Sequence, residues 1–120
     1  MKQVLVLVVL IVCPCLAAFA GEADVVAVTV VQQDDGSYRF DVTVSHADTG
    51  WDHYADKWEV VGPDGTVYGT RILHHPHVDE QPFTRSLGGV RIPAGIAHVT
   101  VRAHDTVHGD GGRTIEKAIP

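Results

Sequence analysis

Cysteine is nearly missing from this sequence: only Cys13 and Cys15 occur, and both lie within the first twenty residues. Residues 1–20 contain a lysine, then a run of apolar residues, and end in Ala-Phe-Ala, a pattern typical of a secretory signal peptide. We therefore expect cleavage after Ala20, which leaves one domain of residues 21–120 without cysteine. Such a domain cannot use a disulfide, a thiolate metal ligand or a cysteine nucleophile, so its hydrophobic core alone must stabilise it.

Positive charge is also scarce. Nine Lys and Arg stand against fifteen Asp and Glu, for a net charge of −6, and removal of the segment that contains Lys2 makes the rest more acidic still. An acidic surface without a basic stripe argues against nucleic acid or anionic membranes as partners and suits the attraction of cations. The leading apolar run is short for a membrane anchor and no basic stop-transfer segment follows it. We therefore expect a periplasmic or secreted protein with no membrane insertion after cleavage.

A helical hydrophobic period is missing as well, and a period of two dominates instead. Turn signals such as Asp-Asp-Gly-Ser and Pro-Asp-Gly-Thr separate short alternating segments. Seven short strands in about 100 residues are typical of one fold class. The sequence therefore predicts an all-β domain, a seven-stranded antiparallel immunoglobulin-like β-sandwich. The predicted strands are 24–33, 38–46, 57–62, 67–73, 83–87, 97–105 and 113–120.

One stretch supports this fold by resemblance. Residues 86–112, "SLGGVRIPAGIAHVTVRAHDTVHGDGG", resemble the end of a fibronectin type III domain. The shared features are a strand, a link that contains proline and glycine, a valine-rich strand that ends in alanine, and a glycine-rich loop. The resemblance implies the sandwich fold and carries no function.

What the sequence has in excess is histidine, eight residues in all, and every one follows residue 20. In the predicted arrangement, the loops after the second, fourth and sixth strands share one end of the sandwich. Those loops hold seven of the eight histidines, while His98 starts a strand at the other end and is interpreted as structural. The seven are His46, His53, His74, His75, His77, His104 and His108.

Histidines from several loops can together complete a metal coordination shell. Pro76 favours an extended "HPH" segment, in which His75 and His77 point the same way and could form a pincer. Glu80 and Asp105 could ligate or orient imidazoles, although Glu80 or Arg85 could instead pin the loop by an ion pair. We therefore expect these carboxylates and the seven histidines to supply the ligands of a divalent transition metal ion, Zn, Cu or Fe.

A second resemblance concerns the same residues. The segments "SHADTGWDHYADKWEV" (45–60) and "AHDTVHGDGG" (103–112) resemble two histidine-bearing loops of the iron domains of superoxide reductases, which are themselves immunoglobulin-like sandwiches. The resemblance implies that His46, His53 and His108 are iron ligands. Asp105 stands where those domains have a thiolate cysteine, which puts the redox activity in question.

Three functions stay open on the sequence alone. The first is an exported, non-enzymatic domain that binds a metal ion and handles or buffers it, with another exported protein as a further partner. The second is a mononuclear iron or copper redox enzyme of the superoxide reductase type. The third is a metal-independent module that binds a protein or glycan, with the histidines as a pH switch. A serine hydrolase is disfavoured because no nucleophile elbow can be found.

Overall fold

The computed structural model describes residues 21–120, so the predicted signal peptide lies outside the described residues. Within that range the chain forms seven strands, and no helix there could cross a membrane. The strands are β1 (Asp24–Gln32), β2 (Tyr38–Ser45), β3 (Ala55–Val61), β4 (Val67–Ile72), β5 (Phe83–Val90), β6 (His98–Asp105) and β7 (Ile115–Ala118).

The strands form two antiparallel sheets with a shared core. One sheet has the order β1-β2-β5 and the other has the order β4-β3-β6-β7. Strands β1 and β2 pair as a hairpin, and β3 pairs with both β4 and β6. The predicted seven-stranded antiparallel sandwich is therefore confirmed.

The alternation of apolar and polar residues in the sequence matches the alternation of buried and more exposed side chains in the strands. In β2 the side chains of Phe40, Val42 and Val44 are completely buried, and the residues between them are more exposed. Trp58 of β3 is also fully buried and belongs to the same apolar cluster. Burial of each large apolar side chain contributes about 1.5–3 kcal/mol relative to exposure. The core therefore rests on the inward residues of both sheets, in a domain whose described residues contain no disulfide.

The largest departure from the predicted strand bounds is in β5, which continues past Leu87 to Val90. Two glycines in this stretch indicated a connection, but the chain keeps pairing because Gly89 adopts a positive φ of 68°. The register with β2 shifts at this point, where Gly88 and Gly89 lie opposite the single residue Arg39.

The loops at one end of the sandwich are brought together by strand pairing. Ala55, the first residue of β3, pairs with Asp105, the last residue of β6. The end of the β2–β3 loop (46–54) therefore lies beside the start of the β6–β7 loop (106–114).

The segment before β1 and the first residues of β1 pack against the β6–β7 loop at this same end. The Val25 amide donates to the carbonyl of Arg113 (2.8 Å), and the Arg113 amide donates to Asp24 Oδ1 (2.7 Å). Gly112 lies so close to the Ala23 carbonyl that a Cβ at that position would overlap it. The N-terminal segment is thus fixed against the loop that follows β6.

Candidate metal centre

Three side chains converge at the end of the sandwich where these loops meet: His46, His53 and Asp105. Each offers one ligand atom, and the three atoms lie within 4.8 Å of one another. His46 Nε2 is 3.2 Å from His53 Nε2, and His53 Nε2 is 2.7 Å from Asp105 Oδ2. The third side, His46 Nε2 to Asp105 Oδ2, measures 3.9 Å. We refer to these three residues as the central cluster.

The orientation of His46 is set by Asp48. His46 Nδ1 lies 2.5 Å from Asp48 Oδ1, and both side chains are fully buried. Because a carboxylate can only accept, the Nδ1 nitrogen carries the hydrogen. In the neutral ring this leaves the Nε2 lone pair directed at the central cluster, as in histidine ligands whose other ring nitrogen donates to a carboxylate.

Asp48 also joins two loops. Its Oδ1 accepts the amide hydrogen of Ala55 (3.1 Å), and its Oδ2 accepts that of His77 (2.7 Å) in the β4–β5 loop (73–82). One buried carboxylate therefore positions an imidazole of the central cluster and ties down a loop 29 residues away along the chain.

Asp105 is completely buried. Burial acts to raise the pKa of its carboxyl, but hydrogen bonds from the His108 and Val107 amides and from the His108 and His53 side chains hold the pKa below its ordinary value. All of these bonds go to Oδ2, whereas Oδ1 is buried and has no hydrogen-bond partner among the described residues. A buried carboxylate oxygen without a donor is costly unless a bound group satisfies it.

The geometry suits one small cation. Two ligands at 2.0–2.1 Å from a tetrahedral zinc ion lie about 3.3–3.4 Å apart. The His46–His53 nitrogen separation of 3.2 Å is near that value, and the two distances to Asp105 of 2.7 and 3.9 Å fall on either side of it. Adjustments of about half an ångström would let all three atoms contact the same ion.

His108 lies next to the central cluster without belonging to it. Its Nδ1 is 3.0 Å from Asp105 Oδ2, and its ring centroid is 5.0 Å from that of His53. His104 precedes Asp105 but points to the opposite face of the sheet because side chains alternate along a strand. There its Nδ1 pairs with Asp56 Oδ1 at 2.6 Å.

The predicted His75–His77 pincer is not part of the central cluster. The His77 ring is buried and stacked on Phe83, with centroids 3.9 Å apart, and its Nε2 accepts from Arg85 Nη2 at 3.0 Å. Burial, the Arg85 charge and His75 together lower the pKa of His77. His75 lies beside it at 4.6 Å between ring centroids. A metal ion bound at His77 Nε2 would have to displace Arg85, and the role of this pair in ligation stays a prediction.

The remaining predicted residues lie outside the central cluster. Glu80 forms an ion pair with Arg85 at 3.0 Å. His74 is exposed in the β4–β5 loop, and His98 is exposed at the start of β6. Among the described residues, neither His74 nor Glu80 belongs to the group of three converging side chains.

Three contributors were not predicted from the sequence. For Asp48 the sequence gives a weak indication, because "HAD" places a carboxylate two residues after His46. Gln81 connects the same loops, accepting from the His46 amide and donating to the His77 carbonyl, each at 3.0 Å. The carbonyl oxygen of Gly21 lies 2.8 Å from His46 Nε2 and has no side-chain signal at all.

The comparisons with known proteins give one informative similarity. A protein of Halomicrobium mukohataei called "Putative lipoprotein" is 43% identical over 94 residues, which cover 78% of this chain and 46% of that protein. The chain therefore spans about half the length of the curated relative that it matches. No protein-family model and no solved structure matches the chain.

Proposed function

We propose that this protein is an exported, non-enzymatic β-sandwich that binds one divalent transition metal ion through His46, His53 and Asp105. The observation that carries the proposal is the convergence of the two Nε2 atoms and a buried, ionised carboxylate at one point. With the His53 hydrogen on Nδ1 instead of on Nε2, where it now donates to Asp105, two nitrogen lone pairs and a negative charge would meet there, and a cation is the group that satisfies all three.

The ligand chemistry narrows the choice of ion. Two imidazoles and one carboxylate suit Zn(II), Cu(II) or Fe(II). A soft Cu(I) site is disfavoured because residues 21–120 contain neither cysteine nor methionine. The proposed role is to handle or buffer such an ion outside the cytoplasm, with another exported protein as a source or recipient.

Two observations support export. Residues 1–20 have the pattern of a signal peptide, and the relative in Halomicrobium mukohataei carries the name of a lipoprotein. We infer that the leading segment directs export and that residues 21–120 fold outside the cytoplasm.

A redox centre is the second candidate, and a specific observation favours it. His46, His53, His108 and Asp105, the four positions that the superoxide reductase resemblance marks, lie together in the fold. A carboxylate at the position of the thiolate would give an iron ion different electronic properties. Reduction of superoxide by the ferrous protein would favour this candidate over simple binding.

The test is elemental analysis of the untagged protein, purified after expression of the full chain with its leader. We expect close to one equivalent of metal, lost in His53→Ala and retained in the matched control His74→Ala, whose side chain is exposed. A His75→Ala/His77→Ala variant separates the pincer from the central cluster and should retain the ion. Circular dichroism confirms that each variant keeps the sandwich.

If wild type binds no zinc, copper or ferrous iron at micromolar concentration, the proposal is wrong. A metal-independent binding module would then be the remaining candidate function, provided that the protein keeps its fold. Equal loss of metal in His53→Ala and His74→Ala would show adventitious surface binding and would also refute the site.

A further inference from the structure

The central cluster has a fourth polar atom that belongs to the backbone. The carbonyl oxygen of Gly21 lies 2.8 Å from His46 Nε2, on the segment that precedes β1. The other two members of the central cluster lie farther from His46 Nε2: His53 Nε2 is 3.2 Å away and Asp105 Oδ2 is 3.9 Å away. Gly21 O therefore lies closer to His46 Nε2 than the ligand atoms of His53 and Asp105 do.

This contact cannot be an ordinary hydrogen bond while His46 is neutral. The His46 Nδ1 hydrogen points to Asp48, so the neutral ring presents a lone pair at Nε2. A carbonyl oxygen also presents only lone pairs, and two acceptors 2.8 Å apart repel each other. Either a second proton on His46 or a cation between the two atoms must resolve the conflict.

The carbonyl is held in place by other parts of the fold. The next residues are fixed by the bonds of Val25 and Asp24 to Arg113 and by the close contact of the Ala23 carbonyl with Gly112. The Glu22 carboxylate in turn lies against Gly111. Gly21 O is thus directed at His46 by a packed segment with several anchors.

We propose that the Gly21 carbonyl oxygen is a fourth ligand of the metal ion, so that the segment preceding β1 closes the site. The inference rests on the proposed function and adds to it a ligand that no side chain supplies. Backbone oxygens serve as weak ligands beside imidazoles in copper sites. A consequence is reciprocal coupling: the bound ion fixes the N-terminal segment to the sandwich, and displacement of that segment weakens metal binding.

Isotopic labelling of the backbone tests the ligand directly. The full chain is expressed with glycine labelled with ¹³C at the carbonyl carbon and is loaded with Cu(II), which binds most nitrogen and oxygen sites more tightly than other divalent ions of its row. Pulsed electron–nuclear double resonance then reports ¹⁴N and ¹³C couplings to the copper. Gly21→Ala is the matched control, because it keeps the carbonyl oxygen and removes the ¹³C label at this position only.

We expect two imidazole ¹⁴N couplings in both proteins, and a ¹³C coupling in wild type that is lost in Gly21→Ala. Identical ¹³C spectra from the two proteins, with both imidazole couplings present, would overturn the fourth ligand and leave the proposed function intact. Absence of the two imidazole couplings from wild type would overturn the proposed function and this inference together.

Discussion

Replacement of Asp48 by asparagine tests the organisation of the site most sharply, because one buried carboxylate serves three donors. These are His46 Nδ1 at 2.5 Å and the amides of Ala55 and His77 at 3.1 and 2.7 Å. An asparagine offers one accepting oxygen, so its NH₂ group must face at least one of these N–H donors. The substitution removes at least one charge-assisted hydrogen bond and leaves a buried donor unsatisfied.

The cost can be estimated from typical values. A hydrogen bond to a charged group contributes about 1.5–3 kcal/mol, and a buried unsatisfied polar group costs about 1–3 kcal/mol. We therefore expect Asp48→Asn to lower the free energy of unfolding of the metal-free protein by about 2–4 kcal/mol, out of about 5–15 kcal/mol for a typical domain. Loss of such a supporting contact to a histidine ligand typically weakens metal binding by about 10–100-fold.

The assay is urea denaturation in the presence of a chelator, followed by competition titration for metal affinity. Asp56→Asn is the matched control, since it also removes a carboxylate from a histidine, His104, in a pair whose side chains are 27% and 28% exposed. We expect the control to cost less than about 1 kcal/mol and to leave metal affinity unchanged. Equal effects of the two substitutions would refute the role assigned to Asp48.

Three other substitutions test separate parts of the fold. Gly112→Ala should destabilise the protein by about 1–3 kcal/mol, because the new Cβ meets the Ala23 carbonyl; Gly88→Ala, which meets only a flexible side chain, is the control in the same thermal unfolding measurement. Phe40→Ala should cost about 3–5 kcal/mol in urea denaturation, since this fully buried ring leaves a cavity, and a smaller cost would mean that the core collapses around it. For His77, the folded pKa lies below 6.5 while the unfolded chain takes up its proton near 6.5, so stability should fall as the pH drops below about 6.5. His77→Gln should flatten that part of the stability curve between pH 8 and 5.5, and an unchanged slope would contradict the assignment.

The sandwich could be predicted because its signal is local. Alternation through Phe40, Val42 and Val44 marks the buried face of β2, and the same phase continues to His46, which is indeed buried. The end of β5 was missed because its two glycines are typical of a connection, whereas the positive φ at Gly89 is compatible with continued strand pairing.

The site was predictable only in part, because much of it depends on contacts between distant residues. Grouping the histidine-bearing loops at one end predicted that His46, His53 and Asp105 would lie near one another, as they do. The arrangement of the "HPH" segment could not be foreseen, since the Asp48 carboxylate and the Arg85 guanidinium fix His77 from outside that segment. The position of the Gly21 carbonyl is a property of the backbone path, which the sequence does not specify locally.

Antibody domains join the second and sixth of their seven strands by a disulfide across the two sheets. Here His46 follows β2 in one sheet and Asp105 ends β6 in the other, so an ion held by both would cross-link the second and sixth strands of this domain. For a closed loop of about 60 residues, the chain-entropy model gives such a link about 4 kcal/mol of stabilisation. Unlike a disulfide, this link would open when a chelator removes the ion.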